Sequence, residues 1–142
     1  MLRKCAAAAA LFVMLGPVSG ALAQTGTFEL ELNKFESQAG SCLVIFKATN
    51  RLGVKLNKTV LQIYVLDKQG VMLNNLGLDF KSIQPGKVKF VKFNLPQSCD
   101  NISKLHPNGF TECSGDTDMT QQCSDGLKTS NKTTLGFSDT DP

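Results

Sequence analysis

One histidine, one cluster of aspartates, four cysteines beyond the first strand and two alternating glutamates are the residues whose types could do chemistry. His106 is the only histidine, and that count alone restricts the reactions open to the chain. A blue-copper site takes two histidines with a cysteine, and a catalytic zinc site usually takes two or three, so a single chain of this composition builds neither. Serine or cysteine hydrolysis would need His106 as its base, and no G-x-S-x-G elbow accompanies it. Beside Pro107-Asn108-Gly109, His106 reads more simply as a turn residue. Asp116-Thr117-Asp118, with Asp125 beyond, offers the hard oxygen ligands that calcium takes, but without the loop glycine and terminal glutamate of an EF-hand. A solvated acidic turn is the expectation there. Glu29 and Glu31 could pose as a paired acid and base; their alternation with Phe28, Leu30 and Leu32 makes them the wet face of a strand. No cofactor and no metal are expected.

The cysteines depend on the compartment. Residues 1–23 have the three parts of a secretory leader: basic Arg3-Lys4, an apolar run from Cys5 to Leu15, and Ala21-Leu22-Ala23 as an A-x-A cleavage site. The apolar run is about half of the roughly 20 residues a membrane span needs. Sec-type export, cleavage after Ala23 and a periplasmic or secreted product with no transmembrane segment after processing are therefore expected, since the pair Arg3-Lys4 is not a twin arginine. Cys42, Cys99, Cys113 and Cys123 then read as two disulfides, with three possible connectivities. Cys99 and Cys113 flank a candidate hairpin and pair on sequence proximity, given a bulge or wide loop, which leaves Cys42 to bond Cys123. No C-x-x-C spacing supports a metal or thioredoxin-like alternative.

The elements that must position these residues are strands. Phe28 to Asn33 alternates; Cys42–Ala48 is apolar at nearly every position, as in a strand buried on both sides; Thr59–Leu66 is a second inner strand. Asp67-Lys68-Gln69-Gly70 and Ile83-Gln84-Pro85-Gly86 are turns, the second with the Pro-Gly pair of a type II turn. Val71–Phe80 follows the first turn, with a bend at Asn74-Asn75. Lys87–Leu95 changes parity between Phe90 and Val91, for which a bulge is expected. Beyond Pro96, Ile102–Leu105 and Phe110–Cys113 are expected to form a hairpin across Asn108-Gly109, Ser114–Gln122 an acidic loop, Leu127–Phe137 an edge strand, and residues 138–142 a disordered end. The fold class is all-β: one immunoglobulin-like antiparallel sandwich over residues 24–137, with a disulfide-linked C-terminal hairpin and polar tail.

Removing Arg3 and Lys4 with the leader leaves 13 basic against 12 acidic side chains, so the basicity of the whole chain is largely that of its leader. Ten of the basic side chains but only five of the acidic ones precede Leu95. Lysine-decorated strand edges account for this asymmetry. With one arginine beyond the leader, a nucleic-acid partner is not expected.

Asn50, Gly53, the strand Leu61-Gln62-Ile63-Tyr64-Val65-Leu66, Asp67 with Gly70, and Pro85-Gly86 follow the order of motifs in the FxLYD-like family of extracytoplasmic immunoglobulin-like domains, which the block from Asn50 to Leu95 resembles. The mature chain is also similar to a set of small exported alphaproteobacterial proteins of uncharacterised function. The likeness runs through Leu30-Glu31-Leu32-Asn33-Lys34, Cys42 and the cysteines at 99, 113 and 123. The resemblance implies a sandwich and an extracytoplasmic location; its motifs encode turns and core positions. The expected function is a non-enzymatic interaction or structural module of the cell envelope, with an envelope protein or a glycan as partner. A hydrolase or metal-dependent enzyme using His106 or the Asp116 loop is the alternative.

Overall fold

The structure is a computed structural model, and it describes residues 15–17 and 26–140. The leader expected over residues 1–23 lies outside the described residues apart from Leu15–Pro17, as does the end of the tail, residues 141–142.

Among the described residues eight strands form two sheets. They are β1 (Thr27–Gln38), β2 (Ser41–Arg51), β3 (Lys58–Leu66), β4 (Met72–Asp79), β5 (Val88–Leu95), β6 (Lys104–Ser114), β7 (Leu127–Asn131) and β8 (Gly136–Phe137). A 3-10 turn at Cys99–Asn101 precedes β6, and a short helix, α1 (Thr120–Asp125), follows it. One sheet has the order β5-β2-β1-β7 and the other β4-β3-β6-β8. The chain makes the β1–β2 hairpin in one sheet and crosses to make β3–β4 in the other. It then returns to lay β5 beside β2 and crosses again to lay β6 beside β3. That Greek-key path defines the expected immunoglobulin-like sandwich.

Alternation builds the core. Phe28, Leu30 and Leu32 of β1, Val44 and Phe46 of β2, and Leu61, Ile63 and Val65 of β3 are fully buried. Between the sheets Phe28, Phe46, Phe80, Phe93, Phe110 and Phe137 meet edge to face, with ring centroids 5.1–6.3 Å apart. At the Pro85-Gly86 turn Lys87 N–H donates to the Gln84 carbonyl at 3.2 Å, and Gly86 has the positive φ of 71° that a type II turn demands.

Three expectations are corrected. First, no hairpin spans Asn108-Gly109: Lys104–Ser114 is one strand paired along β3, and the turn-forming residues are absorbed as register shifts between Val60 and Ile63 on its partner. Gly109, at φ 85°, supplies the left-handed residue such a bulge uses. Second, β5 pairs with β2 in one unbroken register from Thr49↔Val88 to Cys42↔Leu95, with no bulge at Phe90/Val91. Val91, Phe93 and Leu95 face inward, so Val88 and Phe90 stay outside. Lys89, on the inward parity, turns its Nζ to the carbonyls of Phe80 and Ser82 at 2.8 and 3.2 Å. Third, the sandwich is not wholly antiparallel, because β7 runs parallel to β1 and β8 parallel to β6. The C-terminal segment thus passes from one sheet to the other and closes that side of the sandwich.

The disulfide pairing is corrected for the same reason. The structure bonds Cys42 to Cys99 and Cys113 to Cys123, with Cα–Cα distances of 4.7 and 6.4 Å, in place of Cys42–Cys123 and Cys99–Cys113. Because β6 is one extended strand, its start at Lys104 and Cys113 near its end are roughly 30 Å apart at about 3.3 Å per residue, and Cys99 lies before that start. Cys42 lies opposite Leu95, four residues before Cys99, at one end of the sandwich. Cys113 lies at the other end, where α1 carries Cys123.

Candidate functional site

Each residue singled out for chemistry has a defined place. His106 sits half-buried on the outer face of β6, opposite Tyr64 of β3, and the two rings stack at 6.4 Å between centroids and 12° between planes. Asn108 completes this patch by donating Nδ2 to Gln62 Oε1 at 2.9 Å and to Tyr64 Oη at 2.8 Å. Among the described residues no serine, cysteine or carboxylate is hydrogen-bonded to His106.

The aspartates serve turns. Asp118 Oδ1 accepts both the backbone N–H and the hydroxyl of Thr120, at 2.9 and 2.7 Å; the hydroxyl bond first, then the backbone bond, holds its carboxyl below the usual carboxylate range. Asp125 Oδ1 accepts from Gln121 Nε2 at 2.8 Å within α1. Asp116, Asp118 and Asp125 are not gathered into a ligand set: among the described residues no group of three or more His, Cys, Asp or Glu side chains could hold a metal ion. Glu29 accepts from Arg51 Nε at 2.8 Å and Glu31 from Asn33 Nδ2 at 2.8 Å, on the outer face of β1.

A concave surface lies elsewhere, at the end of the sandwich that holds the Cys42–Cys99 bridge. Three shallow, open depressions of about 310, 320 and 190 Å³ adjoin one another, and Lys68 borders all of them. Lys68 stands in a turn fixed by Asp67, whose Oδ1 accepts the N–H groups of Gln69 and Val71, both at 2.9 Å. Across from it run Gln97, Asp100 and Asn101 of the β5–β6 connection. Holding that connection down are the disulfide to Cys42, the bond from Ser103 N–H to the Leu66 carbonyl at 2.8 Å and the bond from Gly136 N–H to the Ser103 carbonyl at 2.9 Å. Gln97 Oε1 is buried there without a hydrogen-bond partner. Sequence reasoning gave Asp67–Gly70 as a turn and missed Lys68, Gln97 and Asp100 as one surface. The signal would have been the true partner of Cys99, which brings the two loops together.

Fold and site together define a two-sheet β-sandwich with two disulfides, one of which anchors a loop end. No family model and no curated protein matches the chain. Among solved structures it is similar to IrmA from Escherichia coli, with a TM-score of 0.58 and 7% sequence identity, over 73% of this chain and 91% of that one. That likeness concerns the fold, and the FxLYD-like assignment gains no family match. Among the described residues no helix is long and apolar enough to cross a membrane.

Proposed function

We propose that the chain is a non-enzymatic interaction module of the cell envelope, working in the periplasm or outside the cell, and that it meets an envelope protein or glycan through the loop end around Lys68. The observation that supports this reading is the Cys42–Cys99 bridge, which fixes the Gln97–Asn101 segment beside the Asp67–Gly70 turn. A loop held in one conformation before binding loses less freedom on binding, which favours affinity without a deep cleft. Disulfides of this kind persist in oxidising compartments. The resemblance to extracytoplasmic immunoglobulin-like domains, and the leader expected over residues 1–23, point the same way.

The experiment is capture of envelope partners by the purified mature protein, with Lys68→Glu and Asp100→Lys as matched variants of unchanged fold. The reading expects a specific protein or glycan retained by the wild type and lost with both variants. Retention by both variants at wild-type level would remove the loop end from the account. A turnover activity abolished by His106→Ala would replace the reading with the enzymatic one.

A further inference from the structure

The sandwich has two unlike sides. On one, the segment through β7 and β8 joins the sheets; on the other, β4 and β5 each end a sheet and pair with a single neighbour. Five large apolar side chains are exposed in or beside these two edge strands: Val71, Met72 and Leu73 at β4, and Val88 and Phe90 on β5. An exposed edge presents unpaired backbone groups to any other strand, and proteins usually blunt it with charge, proline or an inward-pointing lysine. The β5 edge has that protection: Lys87, Lys89 and Lys92 lie along it, and Lys89 turns inward. The β4 edge carries charge only at its far end, where Asp79 is paired with Lys81. From Gln69 to Leu78 there is no charged residue and no proline.

We infer that the β4 edge is a self-association surface, on which a second copy of this chain pairs its own β4 antiparallel about a two-fold axis near Leu76, joining two four-stranded sheets into one of eight. Charge selects the occupant. Two β5 edges would set Lys87, Lys89 and Lys92 against their own copies, whereas two β4 edges bring no like charges together. The strand also has room for a neighbour. Gly77 is exposed at its centre with no side chain to obstruct a second backbone, and in the two-fold pairing it faces Asn75 of the other copy. At present the N–H of Asn75 is occupied only by Asn74 Oδ1 of its own strand, at 2.8 Å, a bond that a neighbouring carbonyl replaces. The bulge between Val65 and Leu66 on the β3–β4 ladder turns Met72 and Leu73 out of the flat segment, which limits pairing to Asn74–Leu78 and makes the dimer a reversible one.

Sedimentation equilibrium of the mature protein from about 1 to 300 µM tests this, since a short edge pairing gives a dissociation constant within that range. The wild type is expected to pass from monomer to dimer on concentration. Asn75→Lys, which sets two lysines beside the axis, is expected to weaken the dimer at least about tenfold with an unchanged circular dichroism spectrum. Phe90→Lys on β5 is expected to leave it intact. Should Asn75→Lys fold poorly, Asn75→Pro, which removes an N–H that the β3 ladder does not use, is expected to do the same. A wild type that stays monomeric throughout, or a dimer broken by Phe90→Lys and not by the Asn75 variants, overturns the inference. These variants leave Lys68 and Asp100 untouched, so a failure here does not bear on the loop-end reading.

Discussion

Tyr64 and His106, the only tyrosine and the only histidine of the chain, stand on neighbouring strands with their ring planes 12° apart and their centroids 6.4 Å apart. The pair belongs to the outer face of a sheet, where Asn108 bonds the tyrosine hydroxyl, and this arrangement decides what removing His106 should do. A surface substitution away from caps and core changes stability by only about 0.5 kcal/mol. His106→Ala should therefore unfold at nearly the wild-type urea midpoint. Because the chain contains no tryptophan, its intrinsic fluorescence comes from Tyr64, and the same variant should alter that emission. A large loss of stability would show that His106 does more than stack.

Asn50 is the buried polar hub of the end opposite the disulfide-anchored loops. Its Nδ2 donates to the carbonyls of Val54 and Ile83 at 2.7 and 3.0 Å, and its Oδ1 accepts from Leu52 N–H at 3.0 Å. Asn50→Ala removes all three bonds, leaving the Val54 carbonyl and the Leu52 N–H without these partners while the Ile83 carbonyl keeps the Leu56 N–H at 3.0 Å, and should destabilise the fold by about 2 kcal/mol. Asn50→Asp keeps the acceptor but loses both donors when ionised, so it should be more stable at pH 4 than at pH 7. Thermal unfolding at the two pH values checks this; equal midpoints would show that the amide donors carry little.

The two disulfides should differ in worth. Cys42–Cys99 closes a separation of 57 residues and Cys113–Cys123 one of 10. On the loop-entropy account the first contributes about 4 kcal/mol and the second about 3 kcal/mol. Urea unfolding of Cys42→Ala/Cys99→Ala and Cys113→Ala/Cys123→Ala should give the larger loss for the first pair. The reverse order would mean that anchoring α1 matters more than closing the longer loop.

Acid should destabilise the protein in a defined window. The carboxyl of Glu36 is held low by its hydrogen bond to Lys34, and that of Asp118 by Thr120. For Asp79, burial raises the value, but the side-chain bond to Lys81 at 3.0 Å and a backbone bond from the same residue bring the net below the usual range. A carboxyl whose folded pKa lies below its unfolded one contributes stability that is complete above the unfolded value and is lost as pH falls through the folded value. Urea midpoints should therefore be level from pH 6 to 8 and decline from about pH 4 downward, with the decline reduced in Asp79→Asn. These groups are largely exposed, so added salt should shrink the effect. A midpoint unchanged down to pH 2 would contradict it.

Where side-chain period alone decides structure, the sequence was readable. The alternation of Phe28, Leu30 and Leu32 and the Pro85-Gly86 turn lie where local rules put them, whereas the apolar run of β2 is not buried on both sides: Cys42, Val44 and Phe46 face the core while Leu43, Ile45 and Lys47 stay half-buried on the outer face. Two misreadings have a common cause. Pro107-Asn108-Gly109 reads locally as a tight turn, but pairing with β3 along the whole of β6 outweighs that preference, and the extra residues become bulges. The parity change at Phe90 reads as a bulge only if Val88 and Phe90 must be buried; β5 is an edge strand and leaves them in water. The disulfide error followed from the imagined hairpin, and the loop end around Lys68 stayed hidden because it exists only once Cys42 and Cys99 are joined.

The central claim is that two specific disulfides organise this sandwich, one of them building the presented loop end. Non-reducing peptide mapping of the protein purified without reductant tests it most directly. The account predicts linked peptides joining Cys42 to Cys99 and Cys113 to Cys123, each separating on reduction. Peptides joining Cys42 to Cys123 and Cys99 to Cys113, or four free thiols, would contradict it.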